Sequence, residues 1–500
     1  MRLAPFAASL PNPAAGDRTL DEILAANAAR APGGFALLAR GLPFSGDWTG
    51  VDSAVSGLAA TFAEWALGED AVVGVQLGST PEAALACLAL WRAGLTPAML
   101  PLAWRRREIT AALASIGATA LIAPVEGGGA PLAQFACEIA AGLETIRFVG
   151  CFGGPAPDGA TPLDHAFDRD GARHVRPDRP EDAADHIAVV TFEAGGAPVA
   201  RSHNDLAAAA LGPILAMRLT AGSSLVSTLD LAGLAGVATG LVPWLLSGAG
   251  AAFHPVSTAA ALKDVVRAAD ATHIALPGRV AGEAFADSGL DEAGLVAVAV
   301  WRAPDGRGAA ADIPGASVIV DAVAFGELGM FATVRPTRTR HAPVPLGPAR
   351  PAERVAPLIE FKIGDDGRLA LRGPACPQAP CPSQPAAPDL AFDPQGFVET
   401  GLAAVADPAA GHVAFGGRRR GVAQIGGVAL AMPDVESAYR RAGVKGLPTL
   451  VDDPLFGARL TLAGTATDNA AAAAETLDAA GFGPAVAPVE RAAEPARKTA

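Results

Sequence analysis

An α/β protein with more than one hydrophobic core is predicted by three observations. The chain has 500 residues, beyond the ~250 to 300 at which a single core stops growing. Apolar strand-like runs alternate with helical spacing from Asp21 to about Ala123 and again from Ala183 to Val256, the rhythm of parallel sheets with helices on their faces. No internal period of roughly 20 to 50 residues persists, which excludes a solenoid.

The spacing of apolar residues predicts a helix over Ile23 to Ala29 and a buried strand over Ala71 to Leu77 (AVVGVQL). Pro81 to Ala93 reads as a helix closed by Gly94, Thr96 to Leu100 as a strand, Arg106 to Ser115 as a helix and Ala118 to Ala123 as a strand. The second round gives strand His186 to Thr191, a glycine turn, helix Asn204 to Met217, strand Ser224 to Thr228 and helix Leu234 to Val242. A third stretch, Ala259 to Val334, closes the pattern. Between Gly373 and Pro394 the prolines are dense and no periodicity survives, so an irregular surface excursion is expected there. Near Gly416 a smaller unit begins: Gly-Gly-Arg-Arg-Arg-Gly, an apolar strand, a helix led by Pro433 and containing Glu436, and strands near Leu450 and Leu460. The domains are expected at 1–418 and 419–500, with the boundary near Arg420.

Apolar residues make up 51% of the chain and charged residues 18%, which argues against global disorder. The alanine runs, such as Ala470 to Ala474, are short, and no window reaches the ~20 uninterrupted apolar residues of a membrane span. A formal charge of −13, without a basic stripe, disfavours nucleic acid as a partner. Only Lys263, Lys362, Lys445 and Lys498 are lysines, so lysine chemistry has four candidates. Cys87, Cys137, Cys151, Cys376 and Cys381 are an odd, scattered set that fits a reducing compartment better than a disulfide framework. Cys376 and Cys381 lack the second ligand pair of a closed zinc site. Met1 to Pro13 lacks the apolar core of a signal peptide, and a cytoplasmic location is expected.

The most informative segment is Val190 to Leu206 (VTFEAGGAPVARSHNDL). A buried strand is expected to run into a Gly-Gly-Ala-Pro turn and then a helix capped by Ser202 or Asn204; such a turn can present backbone N–H groups to a phosphate. The order of this and later segments resembles the adenylate-forming acyl-CoA synthetase, or AMP-binding, superfamily. Its phosphate loop reads Thr-Ser-Gly-Thr-Thr-Gly-x-Pro-Lys followed by Ser/Thr-His. Thr191, Gly196, Pro198 and Ser202-His203 match. Without a gap, Phe192, Glu193, Ala194 and Gly195 replace the Ser-Gly-Thr-Thr core and Val199 the lysine; a gapped register keeps Gly195 and deletes both threonines. Either way hydroxyls and a cation are lost and Glu193 repels phosphate, with Arg201 a candidate substitute cation.

Further segments follow in the family's order. Leu77 to Leu102 is similar to its early helix and strand, and Pro243 to Gly248 to the segment before a small-residue turn. Asp230-Leu-Ala-Gly-Leu234 lies on His-x-x-Gly-Leu, which puts Asp230 in the acyl pocket. Thr272 to Pro277 resembles a pocket-wall strand, and Trp301-Arg302-Ala303-Pro304 falls on a Gly-Gly-Ala-Pro turn, so Trp301 would narrow the adenylate site. Val323 to Gly329 (VAFGELG) resembles the Tyr-Gly-x-Thr-Glu segment in two registers. The register that keeps Glu327 as the magnesium ligand places Gly326 at the threonine. Leu369 to Pro374 (LALRGP) and Gly396 to Leu402 (GFVETGL) follow, with Thr400 kept and Leu402 in place of the aspartate that holds the ribose diol. That exchange removes two charge-assisted hydrogen bonds of ~1.5 to 3 kcal/mol each. In FGGRRRGVAQIGG, Arg418 takes the nucleotide-contacting arginine, Arg420 the hinge and Gly427 the loop glycine, and Pro433 to Glu436 starts the next helix. Lys498 is the only candidate for the terminal catalytic lysine.

The resemblance implies a large N-terminal domain of two sheet-helix subdomains plus a β-rich lobe, and a small mobile α+β C-terminal domain. It also implies ATP, Mg2+ and CoA as cofactors, with a small carboxylic acid and a nucleotide as partners. A homodimer stands among the assemblies left open. The leading functional reading is a ligase that activates a carboxylic acid as an acyl-adenylate and passes it to a thiol. There Thr191, Gly195 and Gly196 cradle phosphate, Glu327 holds magnesium, Arg418 contacts nucleotide and Lys498 meets the carboxylate. The alternatives are a binding or regulatory relative that has lost adenylation, and a thioester-handling enzyme using His203 or His273 as base.

Overall fold

A computed structural model of the protein describes residues 10–168, 179–255, 258–302, 312–385, 387–407, 409–415, 419, 421–453, 456–463 and 469–490. Two mixed sheets organise the large domain. The first runs in space as Thr161–Pro162, Phe148–Phe152, Ala120–Pro124, Val72–Val75, Thr96–Met99, Ile187–Phe192 and Pro198–Ser202, parallel except for the last strand. The second runs Met330–Val334, Val318–Ala324, Val296–Arg302, His273–Pro277, Ser224–Ser227 and Gly250–Phe253, parallel except for its first strand. An antiparallel sheet built on Val398–Asp407, Arg368–Arg372 and Ile359–Ile363 forms the β-rich lobe. Two hairpins, Val422–Ile425 with Val428–Ala431 and Leu447–Asp453 with Gly457–Ala463, join helices Met432–Ala442 and Asn469–Ala479 in the small α+β unit. This is the architecture expected from the sequence. Among the described residues no helix is long and apolar enough to cross a membrane.

Helix Pro81–Arg92 is buried from Ala83 onward, as a helix apolar on every side must be. Its one buried charge, Arg92, is matched by Asp52 at 2.6 Å. Helix Trp48–Glu64, which supplies Asp52, has no counterpart in the sequence reading. Its glycines, serines and threonines are weak helix formers, and burial of Trp48, Val51, Val55, Leu58 and Phe62 overrides that propensity.

The glycine turn also differs from expectation. Chain from Pro198 to Ser202 doubles back as a strand, pairing Val199 with Thr191 and Ala200 with Val190, before Ser202 caps helix His203–Met217 through the Asp205 N–H. The turn is therefore a β-hairpin, because Val199 and Ala200 are apolar enough to extend the sheet. The proline-rich stretch has no regular element, but it is not merely a surface excursion: Ala375 and Cys376 are buried in the core, and the Gln384 N–H donates to the Ser115 carbonyl.

The helix after Asp230 is Leu234–Gly236, a π turn over Val237–Leu241, and Val242–Ser247. Gly240 permits its approach to the second sheet, since a Cβ there would lie 2.7 Å from Ser227 Oγ. That packing fixes where the helix N-terminus points.

His203, on the helix that follows the hairpin, accepts the Leu20 N–H on Nδ1 at 3.2 Å and packs edge-on to Trp91. Burial pushes its pKa down to about 3. The folded value lies below the ordinary one, so the stability given by the neutral ring is complete above pH 6.5 and is lost as pH falls toward 3. We expect acid to cost up to about 1.4 kcal/mol per pH unit through this residue. His203→Gln, compared with wild type by urea unfolding at pH 7 and pH 5, should flatten that dependence; equal slopes would contradict it.

Candidate functional site

Strand Ile187–Phe192 ends in Glu193, whose side chain folds back over the turn it begins. Gly195 and Gly196 take φ of 81° and 80° in that turn, values that only glycine adopts readily. The Glu193 carboxylate accepts three donors. Oε1 takes the Ala194 N–H at 2.8 Å and Arg419 Nη1 at 2.6 Å, and Oε2 takes the Glu327 N–H at 2.7 Å. Glu193 is buried, so these contacts form in a medium where charge-assisted hydrogen bonds are strong. Gly326, at φ +61°, admits the carboxylate: a Cβ there would lie 2.1 Å from Oε2.

Glu327 follows strand Val318–Ala324 of the second sheet and is buried. Its Oε2 accepts the Leu234 N–H at 2.7 Å, which aims a carboxylate at a helix N-terminus. A Cβ on Gly233 would lie 2.8 Å from Oε1, so glycine is needed for that approach. Burial pushes the Glu327 carboxyl above its ordinary range, against the pull of Arg302, the Leu234 N–H and Arg201. The Glu327 carbonyl accepts Arg201 Nη2. The two peptide groups that flank the Glu327 Cα are thus both held, the N–H of the first by Glu193 and the C=O of the second by Arg201. Arg201 is fully buried, and its Nε and Nη1 have no hydrogen-bond partner.

Asp230 follows strand Ser224–Ser227. It accepts the N–H groups of Ala232 at 2.9 Å and Leu102 at 3.4 Å, and burial raises its pKa while Arg302 draws it down. Arg302, at the end of strand Val296–Arg302, thus acts electrostatically on both Asp230 and Glu327. Thr191 is buried with an unpartnered hydroxyl. Thr400 donates to the Leu369 carbonyl at 2.8 Å and accepts the Leu402 N–H, and Leu402 is buried in the apolar core. Gly401 beside it lies against Arg419, 3.7 Å from a Cβ to Nε.

Of the residues singled out from sequence, Gly195, Gly196, Arg201, Gly326 and Glu327 gather around Glu193, and Asp230 joins through Arg302. Trp301 does not join them. Strand alternation puts it on the face opposite Arg302, where its Nε1 donates to Asp321 at 2.8 Å and its ring meets His341 edge-on at 4.7 Å. His203 and His273 are also elsewhere, the latter with Nε2 3.1 Å from the Met217 carbonyl oxygen. Arg418, Arg420 and Lys498 lie outside the described residues.

Three contributors were missed from sequence. Arg419 sits between the two arginines chosen by register, and a run of three arginines gives no internal signal of which one faces inward. From sequence Glu193 shows only a charge that repels phosphate, and Arg302 only a place in the segment that lies on the family's Gly-Gly-Ala-Pro turn.

A cavity of about 340 Å³ adjoins the turn. Gly195, Gly196, Trp104, Glu108, Val435 and Phe482 contribute to its wall, so the large domain and the C-terminal unit enclose it together. Among the described residues no group of three His, Cys, Asp or Glu side chains is placed to hold a metal. Glu327 is engaged by Leu234, and Glu193 takes the donors of the cradle. A magnesium-bound phosphate does not fit this arrangement as it stands.

Carboxyl ends of strands from two parallel sheets, meeting at a cradle for an anion and faced by a small C-terminal unit, define a ligand-handling α/β protein of the open-sheet type. The AMP-binding enzyme family model matches residues 24–360. The chain belongs to this family of adenylate-forming enzymes. Its fold is similar to that of the amide bond synthetase McbA from Marinactinospora thermotolerans, with a TM-score of 0.69 and 17% identity over 94% of each chain. It is similar also to apo MbtA from Mycobacterium smegmatis, with a TM-score of 0.64 and 20% identity over 95% of this chain and 91% of the other. A third is the anthranilate CoA ligase AuaEII in complex with anthranoyl-AMP, at 0.62 and 14% over 96% and 93%. These likenesses concern the fold. No curated protein matches the sequence significantly.

The dependence of the cradle on Gly326 can be tested against Gly196. Both have positive φ, but a Cβ on Gly196 meets open space. Gly196→Ala should carry only conformational strain, about 1 kcal/mol. Gly326→Ala adds a collision with Glu193 and should lower stability by about 2 to 3 kcal/mol in denaturant titrations. Equal losses would show that the close approach carries no weight.

Proposed function

We propose that the protein is an ATP-dependent ligase that activates a small carboxylic acid and passes the acyl group to a thiol such as coenzyme A. In the first step a carboxylate oxygen bonds to the α-phosphorus of ATP while the α–β phosphoanhydride breaks and pyrophosphate leaves. In the second, the thiol sulfur displaces AMP from the acyl carbon. The observation that carries this reading is the convergence of Glu193, Asp230, Arg302 and Glu327 at the carboxyl ends of strands from both sheets, where ligands of open α/β sheets bind. The adjoining 340 Å³ cavity falls in the size range of small-molecule sites. Glu327 is the carboxylate proposed to hold magnesium, a role open to it only when Glu193 has left the cradle. Thr191, with its unpartnered buried hydroxyl, is a proposed phosphate contact. Arg418 and Lys498 keep the proposed nucleotide and carboxylate roles, and Arg420 that of hinge.

A second reading has a specific observation in its favour. Glu193 already takes the donors of the cradle, and Leu402 cannot bond a ribose diol. A relative that binds an organic acid without adenylating it accounts for both. All five cysteines are unpaired, which supports the cytoplasm as the proposed location.

Calorimetry with ATP and magnesium, followed by pyrophosphate release with a panel of carboxylic acids, separates the two readings. The ligase reading expects saturable ATP binding below millimolar concentration and acid-dependent pyrophosphate release. Glu327→Gln should reduce that release by about a hundredfold or more. Wild type that fails to bind millimolar ATP would sink the reading, and unchanged turnover in Glu327→Gln would remove Glu327 from it.

A further inference from the structure

A buried carboxylate gathers donors when it needs them, but the set around Glu193 has a particular composition. The Ala194 N–H comes from the glycine turn, the Glu327 N–H from the loop after the second sheet, and the Arg419 guanidinium from the junction with the C-terminal unit. Two convergent backbone N–H groups and one arginine fork are what a tetrahedral oxyanion such as phosphate binds. Three glycines keep the space open: Gly195 and Gly196 shape the turn, and Gly326 gives up its Cβ to the acceptor oxygen. Supporting groups are present as well. Arg201 holds the Glu327 carbonyl, in the peptide group next to the one that donates, and so restrains the backbone at the donor. The unpartnered Thr191 hydroxyl is buried in the strand that leads into the turn. Glu193 and the cradle it fills belong to the same chain, and the occupant is tethered one residue from the first donor.

We propose that Glu193 is a built-in stand-in for a phosphate-type anion: the cradle binds phosphate only by exchange with this carboxylate, and Arg419 is the cation both occupants share. The proposal rests on the adenylate-forming reading for the identity of the natural anion, but not for the exchange itself. Two consequences follow from charge and linkage. A phosphate cannot enter beside Glu193, since two anions would share one guanidinium in a buried site. The apparent affinity for phosphate is therefore the intrinsic affinity reduced by the fraction of molecules in which Glu193 has left. Because Arg419 lies at the start of the C-terminal unit, exchange at the cradle also determines whether that unit is tied to the hairpin through an ion pair.

Pyrophosphate is the probe, measured by calorimetry on the full-length protein, with thermal melts to establish that each variant is folded. Glu193→Gln keeps the shape and one acceptor oxygen but removes the charge, and should bind pyrophosphate about tenfold or more tighter than wild type. Glu193→Ser, which vacates the cradle, should show the same gain and serves if the glutamine variant does not fold. Arg419→Gln alone should show no gain. Combined with Glu193→Gln, it should abolish most of the gain, because the incoming anion has lost its cation. Folded Glu193→Gln and Glu193→Ser proteins that bind no tighter than wild type would overturn the proposal. So would a gain that survives in the double variant. Acid-dependent pyrophosphate release, assayed in parallel, keeps the two claims apart. Tighter pyrophosphate binding without release supports the exchange and defeats the ligase reading, whereas release by wild type with no gain in the variants does the reverse.

Discussion

The Glu193 carboxylate is the point on which this structure turns, because the hairpin, the loop at Gly326 and Arg419 are all hydrogen-bonded through it. Two of its donors are backbone N–H groups, which no substitution but proline removes, and the third is a guanidinium from the far side of a domain junction. Removing any one leaves buried polar groups to be satisfied by something else, and an unsatisfied buried group costs about 1 to 3 kcal/mol. The hairpin, the loop at Gly326 and the beginning of the C-terminal unit are for that reason a single cooperative arrangement. Its rigidity comes from behind: Arg201 fixes the Glu327 carbonyl, and Leu234, at the N-terminus of a well-packed helix, fixes the Glu327 carboxylate.

The parallel sheets explain why this arrangement forms where it does. Parallel strands deliver all their carboxyl ends to one edge, so Glu193, Asp230, Arg302 and Glu327 arrive together although up to 134 residues separate Glu193 from Glu327. Strand alternation then selects which neighbours take part. Arg302 acts electrostatically on Asp230 and Glu327, while Trp301 turns into the Asp321 network behind the sheet. A site assembled in this way depends on register to the single residue.

That dependence sets the limit of what the sequence reveals. The sheets and most helices were legible because burial leaves a periodic record: Val72–Val75 and Thr96–Met99 lie within the apolar runs that predict them, and helix Pro81–Arg92 begins at its proline. Helix Trp48–Glu64 was not legible, since its glycines and serines hide an apolar face whose partner lies elsewhere in the chain. The hairpin strand Pro198–Ser202 was hidden by its position between a glycine turn and a strong helix signal. At the site, residues tied to glycine turns were legible, because Gly195, Gly196 and Gly326 mark places where backbone approaches something closely. Arg419 was not, because neither propensity nor hydrophobic pattern distinguishes one arginine from the next in a run of three. Trp301 was chosen by family register alone, and register says nothing about which face of a strand a side chain takes.

Charge balance around the cradle gives the departures from the family pattern a common physical sense. Arg201, Arg302 and Arg419 act on Glu193, Asp230 and Glu327, and the buried carboxylate of Asp205 acts on Arg201 as well. Burial already strains this balance. The carboxyls of Asp230 and Glu327 are raised, and the Arg201 guanidinium is lowered, each because desolvation disfavours its charged form. Adding a phosphate to this cluster would bring in negative charge with no free cation to compensate it, which a low-dielectric site does not tolerate. Exchanging the phosphate for the Glu193 carboxylate leaves the count nearly unchanged. The glutamate that departs most sharply from the family's loop is therefore the group whose movement would let the remaining residues receive the family's ligand.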